Sequence, residues 1–163
     1  MNSACRLPLF SSDDLDLPVA WRDEGGRAVS RSRRRLLAEA ALLAEKMSPY
    51  LAPGAGIGTL CNDRYHCALG FVAGLLLDAV SLQPASHAHA TLAEIAAEYP
   101  GSLCLRDGAD GPLPSALYDF PLPDLSLAQP DGITQQPEIP VDRVVAILFT
   151  SGSTGRPQAQ RKT

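Results

Sequence analysis

Val144-Val145-Ala146-Ile147-Leu148-Phe149 runs directly into Thr150-Ser151-Gly152-Ser153-Thr154-Gly155-Arg156-Pro157. The first six residues are apolar without interruption. A run of that length with no alternation is a strand buried on both faces, the pattern of a parallel sheet. From Thr150 to Gly155 every residue is hydroxyl-bearing or glycine. Gly152 and Gly155 open backbone angles closed to other residues and let a ligand approach the main chain. Successive N–H groups in such a turn line a concavity that holds an anion. Thr150, Ser151, Ser153 and Thr154 add hydroxyl donors suited to the oxygens of a triphosphate. Arg156 adds a positive charge and Pro157 stiffens the exit. The stretch is not the lysine-bearing phosphate loop, because no Lys follows Gly155. On residue chemistry alone it stands as a phosphate cradle after a strand or as a Ser/Gly linker.

Upstream, strand and helix patterns alternate. Residues 17–22 form a short strand, Asp23-Glu24-Gly25-Gly26 a turn, and Ala28-Val29 the start of the returning strand. Ser30 or Ser32 caps a helix that runs to about Met47, with Leu36, Leu37, Ala40, Leu43, Ala44 and Met47 as one apolar stripe. Residues 57–61 are a strand, Asn62 or Asp63 caps a helix over 64–77, and 80–83 is the next strand. Thr91 with Glu94 three residues on forms a capping box for a helix over 91–98. Residues 103–105 give a further strand, closed by Asp107-Gly108, and 112–140 is a Pro-, Asp- and Gln-rich connector with an extended piece near 117–120. The alternation predicts an α/β fold, a layered and mostly parallel sheet.

The segment from Phe149 to Pro157 resembles the signature loop of the adenylate-forming, AMP-dependent synthetases and ligases. These include acyl-CoA synthetases, peptide-synthetase adenylation domains and luciferases. Their pattern is a hydrophobic strand, Thr-Ser-Gly-Ser/Thr-Thr-Gly, any residue, Pro, and usually Lys. This chain matches it through Pro157 and departs at Gln158. Asn62-Asp63-Arg64-Tyr65 and Pro84 resemble the family more loosely. The resemblance implies a partial three-layer sheet, the first part of the large N-terminal domain. Residues 1–16 would be a tail and 17–163 an incomplete domain.

The resemblance also implies that Thr150, Ser151, Gly152, Ser153, Thr154, Gly155 and Arg156 handle the β- and γ-phosphates of ATP, with Mg2+. The parent enzyme would activate a fatty or aromatic carboxylic acid as an acyl-adenylate. It would then pass the acyl group to the thiol of CoA or of a carrier protein's phosphopantetheine. The adenine motif, the ribose Asp and the lid with its catalytic Lys are expected beyond these residues. The chain therefore reads as a truncated or split ligase, or as a non-catalytic module completed by another polypeptide. No catalytic residue is assigned. On this reading residues 144–149 lack parallel neighbours and expose an apolar edge, which predicts poor solubility or mobility after about Pro112.

The net charge is −4 and the pI about 5.3, which gives no case for nucleic-acid binding. Arg31, Arg33, Arg34 and Arg35 read as a solvated helix face, with phosphate or acidic carrier contact as the alternative. Asp13, Asp14 and Asp16 read as an ordinary acidic patch. Cys5, Cys61, Cys67 and Cys104 lack zinc spacing, and the last three read as core thiols. His66 beside Cys67 on a helix is a poor catalytic pair. His87 and His89 lack a third ligand, so no metal site is expected. Trp21, Tyr50, Tyr65 and Tyr99 read as packing residues. The apolar run from Cys67 to Leu77 is too short to span a bilayer, and no targeting feature argues against the cytoplasm.

Overall fold

The computed structural model describes residues 5–108, 111–151 and 157–163, with only the backbone at 151, 157 and 158. In chain order the elements are β1 (Arg6–Pro8), β2 (Pro18–Asp23), β3 (Ala28–Ser32), α1 (Arg33–Met47), β4 (Gly56–Thr59), α2 (Arg64–Leu76), β5 (Val80–Gln83), α3 (His89–Glu98), β6 (Leu103–Arg106), β7 (Tyr118–Pro121), β8 (Glu138–Pro140), β9 (Ala146–Ser151) and β10 (Pro157–Lys162).

The main sheet has the order β10-β9-β5-β4-β6-β7. All its pairings are parallel except β10 with β9. Helices cover both faces. On one, Leu36, Leu37, Leu43 and Met47 of α1 and Leu69 and Val72 of α2 pack on Ile57, Leu103 and Leu105. On the other, Leu92, Ile95 and Ala96 of α3 meet Cys104, Leu82, Ile147 and Phe149. Leu103 and Leu105 serve one core and Cys104 the other, the period-two alternation of a strand buried on both sides. The expected three-layer, mostly parallel arrangement is what the chain adopts.

Local chemistry fixes the helix starts. The Ser32 hydroxyl accepts the Arg35 N–H at 3.2 Å, and the Asp63 carboxylate accepts the Tyr65 N–H at 2.7 Å. The third start differs from expectation. α3 begins at His89 with Ala88 as cap and no side-chain cap bond. Thr91 lies inside the helix, and its hydroxyl pairs with that of Ser86 at 3.1 Å. The capping box does not form because the helix starts two residues earlier, which puts Thr91 inside its first turn and not at the cap.

β9 also departs from expectation. It starts at Ala146 and continues through Thr150 and Ser151, which lie in the strand and not in a loop. Neither of its edges is bare, because β5 pairs on one side and β10 on the other. The chain supplies both neighbours itself, β10 by folding back in register from Pro157 opposite Ser151 to Lys162 opposite Ala146.

The connector is likewise held. Leu117, Phe120, Leu125 and Ala128 are buried, and β8 pairs with β1. Residues 6–16 join the same body, with Leu15 buried in the α1–α2 core. The four arginines are not a solvated face. Arg34 pairs with Asp16 and donates to the Ile133 carbonyl, Arg35 pairs with Glu39, and Arg31 with Glu24. Arg33 donates to the Ser12 carbonyl and lies over the Phe10 ring. Arg33 and Arg34 are the clasp that straps the N-terminal segment to α1. Trp21 is 69% exposed, because it stands with Val19 and Asp23 on the outward face of β2. It is therefore not a packing residue.

Candidate functional site

Because β4, β5, β6 and β9 run parallel, Thr59, Gln83, Arg106 and Ser151 end on one edge of the sheet. In open α/β sheets this carboxyl edge is where ligands bind. Two groups of residues are built there.

The first is the frame around residues 152–156. Five of the seven expected phosphate residues, Gly152, Ser153, Thr154, Gly155 and Arg156, lie outside the described residues. Thr150 and Ser151 are placed at the end of β9, opposite Gln158 and Pro157. The strands therefore bring Thr150 and position 158 together across the base of the connection.

β9 is fixed at both ends. At its start, Arg143 closes the carboxyl end of α2. Its Nη1 donates to the Leu75 carbonyl at 3.0 Å and lies 3.1 Å from Asp78 Oδ1, and Nη2 reaches the carbonyls of Gly74 and Ala79. A guanidinium there satisfies carbonyls that the helix leaves open and opposes its dipole. Near its far end, Phe149 packs edge-on against Tyr99, with ring centroids 6.1 Å apart at 78°. Burial raises the Tyr99 hydroxyl above its ordinary range, as does Glu98, against the opposing effect of Arg161.

The second group is a corner between β4 and β6. Asp107 accepts the Asn62 N–H at 2.8 Å, the Asp63 N–H at 2.9 Å and His66 Nδ1 at 2.8 Å. Asp63 in turn binds Arg22 at 2.7 Å. Burial acts to raise the Asp107 carboxyl, yet the two backbone donors and His66 hold it below the usual carboxylate range. Asp63 is lowered in the same way, its burial outweighed by the Tyr65 N–H, His66 and Arg22. His66 and Asp107 line a cleft of about 510 Å³ with Arg106 and Asp119, themselves an ion pair. From the sequence, His66 is a poor partner for Cys67 and Asp107 a turn residue. The signal it lacked was spatial, since the partners are more than forty residues apart in the chain.

The remaining candidates are not brought together. The Cys67 thiol donates to the Cys61 carbonyl at 3.4 Å while His66 turns to Asp107. Burial pushes the Cys61 and Cys104 thiols up to about 12, which leaves them unreactive core groups. No group of three or more metal-ligating side chains occurs among the described residues.

No protein-family model and no curated protein matches the chain. Solved structures do. A double mutant of o-succinylbenzoate CoA synthetase from Bacillus subtilis, bound with a product analogue, superposes with a TM-score of 0.69 at 16% identity, over 93% of this chain and 31% of that one. The chain has the fold that opens the N-terminal subdomain of adenylate-forming enzymes. The Klebsiella oxytoca NpsA N-terminal subdomain gives 0.61 at 18% identity over 82% of this chain and 35% of the other. McyG A-PCP complexed with phenylalanyl-adenylate gives 0.63 at 16% over 85% and 24%. The chain thus spans about a third or less of these relatives. Among its described residues no helix is long and apolar enough to cross a membrane.

Proposed function

We propose that the chain is the phosphate-handling opening portion of an ATP-dependent acid ligase. The observation that carries this reading is that its Thr-Ser-Gly-Ser-Thr-Gly-Arg-Pro stretch begins at the carboxyl end of β9, in the fold that adenylate-forming enzymes share. Thr150, Ser151, Gly152, Ser153, Thr154, Gly155 and Arg156 would hold the β- and γ-phosphates of ATP, which enter with Mg2+. Donors fixed there favour the pyrophosphate as it leaves, which is electrostatic stabilisation and not acid–base chemistry. The acid would be a fatty or aromatic carboxylate. The acceptor would be the thiol of CoA or of a carrier's phosphopantetheine. The free thiols of Cys61, Cys67 and Cys104 suit a reducing compartment such as the cytoplasm.

A second reading makes the chain a non-catalytic module that holds ATP phosphates, alone or beside a completing polypeptide. Gln158, at the position where the resemblance places Lys, favours it. Acid-dependent exchange of labelled pyrophosphate into ATP separates the two. Exchange by the purified chain supports the ligase and excludes the module. No exchange, with Mg-ATP binding retained, supports the module.

A further inference from the structure

The Asp107 corner holds one reactive group that phosphate binding leaves idle. Asp107 Oδ1 accepts the Asn62 N–H and Oδ2 the Asp63 N–H, and the side chain is only 9% exposed. Both oxygens of this carboxylate act as acceptors, so His66 Nδ1, at 2.8 Å, is the nitrogen that carries the proton. Nε2 of neutral His66 then holds a lone pair. It makes no hydrogen bond among the described residues. Asp63 Oδ2, 3.9 Å away, is itself an acceptor and is taken by Arg22 at 2.7 Å. The pair is the carboxylate and imidazole of a triad without its nucleophile, since the Cys67 thiol turns to the Cys61 carbonyl.

The surroundings select the missing partner. His66 lines the cleft of about 510 Å³, where Arg106 and Asp119 neutralise each other and Pro121 and Leu122 are apolar. Such walls suit an uncharged ligand. Among neutral O–H, N–H and S–H donors, a thiol gives its proton to an imidazole most readily. The imidazolium so formed has Asp107 at Nδ1 and Asp63 near Nε2 to stabilise it. The cleft also lies on the carboxyl edge of the sheet. In the order β9-β5-β4-β6, the end of β4 is two strand spacings, or about 10 Å, from the end of β9.

We propose that this cleft is an acyl-acceptor subsite, in which His66 is the base for a thiol at the end of a neutral arm and Asp107 is its positioning residue. Nε2 takes the S–H proton, the thiolate sulfur bonds to the acyl carbon of an activated ester, and the bond from that carbon to the leaving oxygen breaks. The proposal deepens the ligase reading and rests on it for the acyl donor.

The test needs no ATP. The whole chain, with exposed Cys5 changed to Ser, is given N-acetylcysteamine as the thiol and p-nitrophenyl acetate as the activated ester, and release of p-nitrophenolate is followed. The chain is expected to speed thiolysis about tenfold over solution, saturably in thiol, with the rate falling as acid protonates Nε2. His66→Gln removes the acceleration. Asp107→Asn lowers the maximal rate by about threefold or more while thiol saturation is unchanged. Nitrogen NMR of the His66 ring shows the proton on Nδ1 in the free chain and on both nitrogens with thiol bound. A proton on Nε2 in the free chain, or a ring unmoved by saturating thiol, overturns the proposal whether or not His66→Gln folds. Acceleration that survives in folded His66→Gln overturns it as well. Neither readout uses nucleotide, so pyrophosphate exchange by the same chain judges the ligase reading separately.

Discussion

Arg143 Nη1 donates to the Leu75 carbonyl at 3.0 Å, so a residue just ahead of β9 closes the carboxyl end of α2. Asp78 sits in the turn between α2 and β5, at a φ of 60°, and its carboxylate completes the pair. The arginine is largely buried, so its hydrogen bonds and charge are not fully screened. Arg143→Ala is expected to destabilise the chain by about 1.5–3 kcal/mol, the usual range for hydrogen bonds to a charged group. Arg143→Lys should recover only part, since an ammonium cannot span several carbonyls as a planar fork does. Urea unfolding of the three proteins measures both.

Gly70 lets α2 lie against the sheet. A Cβ added there would come 2.3 Å from Thr59 Cγ2 and 2.8 Å from Leu105 Cδ2. Both neighbours are buried strand residues with little room to move. Gly70→Ala should cost about 1–3 kcal/mol through overpacking, despite alanine's better helix propensity. Thr59→Ser removes the nearer methyl, so the double variant should be more stable than Gly70→Ala alone. Equal stability of the two would show that the helix simply shifts outward.

The corner at Asp107 makes a prediction about acid. Asp107 and Asp63 both titrate lower in the fold than in the unfolded chain. A depressed carboxyl contributes stability that is complete above its unfolded value, near 4, and is lost as pH falls through the folded value. Stability measured downward from neutrality should therefore decline below about pH 4. Asp107→Asn should lower stability at pH 7 by about 1–3 kcal/mol and flatten that decline. A decline of unchanged slope in the variant would assign the acid sensitivity elsewhere.

Position 158 faces Thr150 across the base of the frame. A lysine there adds a positive charge near the proposed phosphates. Gln158→Lys should tighten Mg-ATP binding by about threefold to tenfold, with the gain shrinking as salt is raised. Calorimetric titration at two salt concentrations measures it. An unchanged affinity would separate position 158 from the phosphate site.

Much of the fold was legible because it depends on local pattern. The stripe from Leu36 to Met47, the Ser32 and Asp63 caps and the apolar run into Thr150 each declare themselves within a few residues. Most of the misreadings concern partners distant in the chain. Nothing near Val144 shows that 157–162 will fold back and cover its strand. Nothing near Arg33 or Arg34 shows that Ser12 and Asp16 will take up their charge. Thr91 and Glu94 have the spacing of a capping box, but Ser86 engages Thr91 and the helix starts earlier. For the site, the phosphate stretch was legible as a motif. Its supports, Tyr99, Arg143 and the Asp107 corner, were not, because contacts between residues dozens of positions apart leave no periodic signal.

Whether this chain holds ATP phosphates is decided most directly by residue-resolved NMR of the purified chain titrated with Mg-ATP, with Gly155 changed to a bulky residue as control. Saturable shifts centred on Thr150 to Gly155, spreading to Phe149 and the β10 amides and absent in the control, are the expected result. A well-folded chain whose resonances at 150–155 do not move, or move equally in the control, would contradict the phosphate assignment.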